Sequence, residues 1–167
     1  TTAYPGQPSR GEIVYNYLSS TLSAYEAMEK LAEKADEYAG VNVIFGDSES
    51  LVFFSNREKK IRTLEPGFYG LSNHLLDTPW PKVVRGKELL GAYFCGGKRE
   101  EESKIFAALN DDLLPPDKLL PDTGVGIELE RLLGPIFIKG KDYGTVSSAV
   151  LKIQENGDVI FSETSYI

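Results

Sequence analysis

Apolar residues recur along this chain first at helical spacing, then at strand spacing, then at helical spacing again, and finally at strand spacing. Ile13, Val14, Tyr17 and Leu18, preceded by Ser9-Arg10-Gly11-Glu12, predict a short amphipathic helix with four apolar side chains on one face. Ser23-Ala24-Tyr25-Glu26 has the form of a capping box, and the stripe Tyr25, Met28, Leu31, Ala32, Ala35, Tyr38 predicts a second helix that ends at Gly40 in the left-handed conformation. Val41–Phe45 and Leu51–Ser55 predict a hairpin around Asp47-Ser48-Glu49-Ser50. Ile61–Leu64 and Phe68–Leu71 predict a second hairpin, with Glu65-Pro66-Gly67 as a type II turn. Helices are then expected from Val83 to Phe94, stopped by Gly96-Gly97, and from Glu100 to Leu109, stopped by Asp111-Asp112 and Pro115-Pro116. Glu128–Leu133 predicts a short helix and Ile136–Ile138 a short strand. Val146–Ile153 with Val159–Phe161 predicts a closing hairpin around Asn156-Gly157. This order fits an α+β fold with antiparallel sheets rather than alternating βαβ units.

Composition narrows the picture. A chain of 167 residues is the length of a single domain, expected here over 1–167. Its net charge of −7, with no basic run longer than Lys59-Lys60 or Lys98-Arg99, argues against a nucleic-acid partner, which needs clustered cations. No apolar stretch reaches the ~18 residues of a membrane span, so no transmembrane segment and a cytoplasmic setting are expected. One Cys and one His cannot form an internal disulfide or a four-ligand zinc site.

Most candidate chemistry reads as structure. Gly124-Val125-Gly126-Ile127-Glu128-Leu129 lacks the third glycine and the preceding strand of a dinucleotide loop, and reads as a turn before a helix. Asp111 and Asp112 are adjacent and cannot share a helix face, so they read as a solvated helix end rather than a catalytic pair. Cys95 reads as a small helix-end residue. The densest patch is Gly70 to Lys82, which gathers the only His and the only Trp with Asn73, Asp77 and two prolines at a strand-to-helix junction. One reading is structural: Asp77 or Thr78 caps the helix, proline fills its first turn, and Trp80 anchors it on the sheet. The other is functional: Asn73 presents its amide to a carbonyl or oxyanion, and His74 is a titrating base or an axial ligand to haem iron. Lys82, Arg85 and Lys87 read either as a phosphate or acidic-partner contact or as a solvated helix face.

Several separate stretches resemble the transport and Golgi organisation family, also called the NRDE family after an Asn-Arg-Asp-Glu motif. They are Ser9 to Val14, Tyr38 to Val43, Ser55-Asn56-Arg57, Leu64 to Asn73, and Asp77-Thr78-Pro79-Trp80-Pro81-Lys82, in the family's order. Leu120 to Gly124, Tyr143-Gly144-Thr145 and the Asn156-Gly157 hairpin extend the match over nearly the whole chain. Family members open with Met-Cys and carry the Asn-Arg-Asp-Glu motif soon after, so an N-terminally truncated member is expected. Where the family has Tyr-Gly-Thr-Arg, this chain has Tyr143-Gly144-Thr145-Val146.

The resemblance implies a fold similar to the N-terminal-nucleophile hydrolases: four αββα layers with antiparallel sheets, here without the N-terminal strands. It implies that Asn73 is the oxyanion amide, with a Cys nucleophile upstream of Thr1; a rival to that implication is Thr1 itself as a processed nucleophile, against which the expected upstream segment counts. The leading expectation is a non-catalytic protein that binds or delivers an amphipathic small molecule, haem or an acyl lipid, in Golgi or secretory organisation. The family is also associated with mitochondria. Trp80, Tyr69 and Tyr143 would be the walls of its pocket and His74 the iron contact. The alternative is an N-terminal-nucleophile amide hydrolase, inactive as this chain alone. A scaffold for protein partners is a third reading, with a homo-oligomer or the upstream segment covering open sheet edges.

Overall fold

A computed structural model describes residues 8–95 and 102–166, so Thr1, the Gly96-Gly97 stop and Lys98-Arg99 lie outside the described residues. The chain divides into two compact units. The first comprises 1–67 with Asn73–Leu75, and the second Phe68–Ser72 with Leu76–Ile167.

In the first unit, α1 (Gly11–Leu18) and α2 (Ala24–Lys34) precede the sheet β1 (Asn42–Gly46), β2 (Leu51–Ser55), β3 (Lys60–Thr63), in the order β1-β2-β3 and antiparallel throughout. The capping box forms as expected: Ser23 Oγ accepts from the Glu26 N–H, while Glu26 reaches back to the Ser23 N–H at 2.9 Å. The register pairs Val43 with Phe54 and Phe45 with Val52. These four side chains share one face because strand side chains alternate, and they pack with Met28, Leu31, Ala24, Ala27 and Ala35 of the helical segment in a single core.

Three expectations change here. The buried stripe of α2 runs through Ala24, Ala27, Met28, Leu31 and Ala35, leaving Tyr25 45% exposed. On α1 only Ile13 is buried, and Val14 and Leu18 are exposed, because the 100° between successive helical residues carries them away from the core that holds Ile13. Gly40 does not take a left-handed conformation, since α2 ends in a 3-10 turn, Ala35–Glu37, before the chain turns into the sheet. What Gly40 supplies is space: a Cβ there would lie 2.9 Å from the Arg57 guanidinium.

The second unit contains α3 (Pro81–Cys95), α4 (Glu102–Leu109), α5 (Ile127–Leu133) and the antiparallel hairpin β4 (Ser147–Ile153), β5 (Val159–Ser165). Gly157, at φ 87°, provides the left-handed residue of the hairpin loop, and the Gln154 N–H to Asp158 carbonyl bond closes it. Val150 is buried on one face of the hairpin. On the other, Leu151 pairs with Phe161 and Ile153 with Val159, and all four are more than half exposed.

Two predicted strands are not strands. Phe68–Leu71 forms no ladder, because β3 pairs with β2 instead and the backbone of Gly70 is satisfied by Asp77. Gly67 accordingly does not adopt the positive φ of a type II turn. Ile136–Ile138 is likewise held by loop bonds: the Phe137 N–H donates to the Asp111 carbonyl, and the Ile138 N–H donates to Thr145 Oγ1 at 2.9 Å. The fold is mixed α+β with antiparallel sheets, as its pattern predicts.

Candidate functional site

The Gly70–Lys82 patch is organised around Asp77. This residue sits at φ 58°, a conformation that aspartate tolerates better than most side chains, and its N–H donates to the Gly70 carbonyl at 2.8 Å. The Gly70 N–H in turn donates to Asp77 Oδ1 at 2.8 Å, and Lys87 Nζ donates to the same oxygen at 2.9 Å. Burial acts to raise the Asp77 carboxyl, but the Lys87 ammonium and the Gly70 N–H outweigh it and hold the group below the usual carboxylate range. Asp77 therefore clamps the base of a loop instead of capping α3. The helix begins with Pro81 in its first turn, where proline loses no hydrogen bond, and the Val83 and Val84 N–H groups donate to the Trp80 carbonyl.

Below this clamp, a cavity of about 280 Å³ is walled by Phe68, Tyr69, Leu71, Val83, Leu90 and Ile136, with Lys82 and Lys87 as its cations. Gly70 is required here, since a Cβ at that position would come within 2.7 Å of Val83 Cγ1. A second cavity of about 370 Å³ is walled by Val84, Leu113, Leu114, Leu119 and Ile136 together with Pro79, Pro81, Pro115, Pro116 and Pro135. Lys82 and Ile136 line both. The prolines make this wall stiff, because their φ is fixed before anything binds.

The cations differ in how they are held. Arg85 donates to Asp111 Oδ2 from Nε and from Nη2, the latter at 2.7 Å, and Lys87 is paired with Asp77. Lys82 Nζ donates to the Leu133 carbonyl at 2.6 Å, at the C-terminal end of α5, where a cation is favoured. Burial pushes the Lys82 ammonium down, and the Glu130 carboxylate opposes this only in part. Glu130 is itself buried and accepts from the N–H and Oγ1 of Thr123 through Oε1. Asp112 pairs with Lys139, so the adjacent aspartates serve separate ion pairs.

The residues expected at the site are distributed between the units. Tyr69 lines the 280 Å³ cavity. Trp80 is half-buried at the start of α3, and Tyr143, 61% exposed, lines neither cavity. Asn73 and His74 group with the first unit and are exposed, and the His74 backbone carbonyl accepts from Asn42 Nδ2 at 2.7 Å. The walls contributed by Leu113 to Pro116 and by Ile136 escape sequence reasoning, which reads Pro115-Pro116 as part of a helix stop and Ile136 as part of a strand. Nothing in their spacing signals that they meet α3.

A sequence model of the family described as Transport and Golgi organisation 2 matches residues 1–167. The chain belongs to this family. The Bos taurus "Transport and Golgi organization protein 2 homolog" is 30% identical over 171 residues, which cover 95% of this chain and 62% of the relative. The Mus musculus "Transport and Golgi organization 2 homolog" is 28% identical over 98% of this chain and 64% of its own length. The Homo sapiens homolog is 28% identical over 93% of this chain and 61% of its own. The chain thus spans less than two thirds of the Transport and Golgi organisation 2 relatives it matches. Among the described residues, no helix is long and apolar enough to cross a membrane, and no group of three or more His, Cys, Asp or Glu side chains is placed to hold a metal ion.

Proposed function

We propose that this Transport and Golgi organisation 2 family chain binds and delivers an amphipathic small molecule, haem or an acyl lipid, in cytoplasmic transport linked to Golgi and secretory organisation. The observation that carries the reading is the pair of apolar cavities that share Lys82 and Ile136. Apolar walls with a few placed cations suit a ligand with a hydrocarbon or macrocyclic body and a carboxylate, because the body loses its contact with water while the acid end finds a charge-assisted hydrogen bond. Within this reading Tyr69 is a wall, Trp80 and Tyr143 are further aromatic contacts, and His74 is the contact for haem iron. Each unit supplies one antiparallel sheet with a helix packed on it, which supports an N-terminal-nucleophile-hydrolase-like αββα family fold.

The test uses two probes. Dodecanoate is titrated by calorimetry, and haem by its Soret band. Dodecanoate binding that is lost in Val84→Arg, a change that fills the larger cavity from an exposed helix position, supports the cavities as the site. A Soret shift abolished in His74→Ala supports the iron contact. Absence of binding for both probes overturns the reading.

A further inference from the structure

We propose that Lys82 is a nucleophilic amine that condenses reversibly with the carbonyl carbon of an apolar aldehyde seated in the cavities it lines. Three features set Lys82 apart. Among the described residues it is the one cation common to both cavities. The other two cations of those walls are held by carboxylates, Arg85 by Asp111 and Lys87 by Asp77, whereas Lys82 is held by the neutral Leu133 carbonyl at 2.6 Å. It is also half-buried among proline and aliphatic walls, so its ammonium form is poorly solvated, and burial outweighs the partial support from Glu130. A lysine desolvated in an apolar pocket holds its proton less firmly than an exposed one and is the better nucleophile of the two. The carbonyl of Leu133 takes one N–H and fixes the position of the nitrogen, leaving the remaining N–H and the lone pair of the neutral amine for the cavity.

The step balances without a further reagent. The Lys82 nitrogen lone pair forms a bond to the aldehyde carbon as the C=O π bond breaks, one N–H proton passes to the carbonyl oxygen, and the resulting carbinolamine loses its hydroxyl together with the second N–H proton as water to give an imine. Addition of water reverses it. The apolar walls favour the imine by excluding water and by seating the hydrocarbon body of the aldehyde. An acid-bearing ligand would instead form an ion pair with Lys82 without a covalent bond, so the same position can discriminate between two oxidation levels of a chain.

The inference rests on the cavities' accepting an apolar body, and the two claims are separated by paired probes. Decanal is added with cyanoborohydride, which reduces the imine irreversibly, and the modified lysines are mapped by mass spectrometry. Decanol binding is measured in parallel by NMR shifts. The expected result is a decyl adduct concentrated on Lys82, formed at least tenfold faster than on the exposed Lys118 or Lys141, and absent in Lys82→Arg. The wild-type map is decisive by itself if Lys82→Arg fails to fold. Decanol binding with adducts spread evenly over the lysines overturns the inference and leaves the binding reading intact. A Lys82 adduct without decanol binding shows a reactive amine that acts without a seated ligand, and overturns both the inference and the binding reading on which it rests. No Lys82 adduct and no decanol binding overturns both.

Discussion

The three-stranded sheet of the first unit and the two-stranded sheet of the second draw on the same residue types but use them differently. Val43, Phe45, Val52 and Phe54 lie beneath a helix whose own buried positions repeat at helical spacing, and with it they form one continuous core. Leu151, Ile153, Val159 and Phe161 share one hairpin face and remain 59–70% exposed. The second unit buries Leu76, Val83, Ile105, Phe137 and Val150, and also lines cavities with aliphatic and proline side chains on α3, on the Leu113–Pro116 loop and at Pro135-Ile136. A unit that has buried its apolar surface in itself gains rigidity, whereas one that keeps apolar walls open retains surface for a ligand to cover.

The sharpest way to break this contrast is to remove equivalent aromatics. Phe54 is 1% exposed and Phe161 is 63% exposed. Phe54→Ala leaves a void in close-packed surroundings and is expected to cost about 3–5 kcal/mol. Phe161→Ala is expected to cost no more than about 0.5 kcal/mol, as exposed substitutions do. Urea unfolding, with hydrogen exchange to assign each transition to its unit, makes the comparison. Equal losses would mean that the hairpin face is covered in solution.

Asn56 gives the next largest effect, again in the first unit. Its Oδ1 accepts from the Val41 N–H at 2.9 Å, while Nδ2 donates to the Ala35 carbonyl at 3.0 Å and more weakly to Tyr38 and Ala39. One side chain thus serves the end of the 3-10 turn and the start of β1. Asn56→Ala leaves these groups unpaired and is expected to cost about 2 kcal/mol. Asn56→Asp should be worse than Asn56→Ala, because it places a carboxylate against three carbonyl oxygens. The reverse order by urea unfolding would show that Asn56 is not the hub of this turn.

Much of the first unit was legible in the sequence, because its signals are local. Ser23 and Glu26 stand three residues apart, and the strands flank a polar turn. The parts that were not legible depend on partners remote along the chain. Phe68–Leu71 has strand-like residues, but its backbone is satisfied by Asp77, and no local pattern predicts that an aspartate will adopt φ 58° to do so. Gly40 carries the mark of a helix end, yet its use is to admit Arg57 from another element. At the candidate site, the Pro-Trp-Pro-Lys stretch leads into α3, and its Lys82 lines both cavities. Lys87 is held by Asp77, ten residues away, whereas Lys82 is held by Leu133, 51 residues away, and no local pattern gives that partner.

Gly70→Ala carries the comparison into the second unit with a smaller effect. The new methyl would meet Val83 Cγ1, a buried side chain, at 2.7 Å. The expected cost is about 1 kcal/mol, the low end for overpacking, because the adjoining cavity gives Val83 room to move. The displaced Val83 should shrink that cavity, so the variant is expected to lose affinity for dodecanoate more than it loses stability. Calorimetry and urea unfolding on the same preparation separate the two. A variant that loses stability and binds dodecanoate unchanged would place the ligand elsewhere.

The smallest effect concerns acid and returns to the first unit. Asp47 accepts from the Ala24 N–H at 2.7 Å, at the first turn of α2, and from the N–H groups of Glu49 and Ser50 in the hairpin turn. Those three donors, the Ala24 N–H first, hold its carboxyl at about 2, below the ordinary 3.8. A carboxyl depressed in the folded state contributes stability that is fully present above its unfolded value and is lost as pH falls through the folded one. The Asp47 contribution is therefore expected to be constant at neutral pH and to fade between about pH 4 and pH 2. Its size is limited by solvent, since the side chain lies at the surface where screening is strong. Asp47→Asn should lower stability slightly at pH 7 and flatten the acid limb of the first unit, with no change in the acid limb of the second. Hydrogen exchange at pH 5 and pH 3 reads both units in one sample, and an acid limb equally steep in the variant would show that other carboxylates fasten the hairpin to α2.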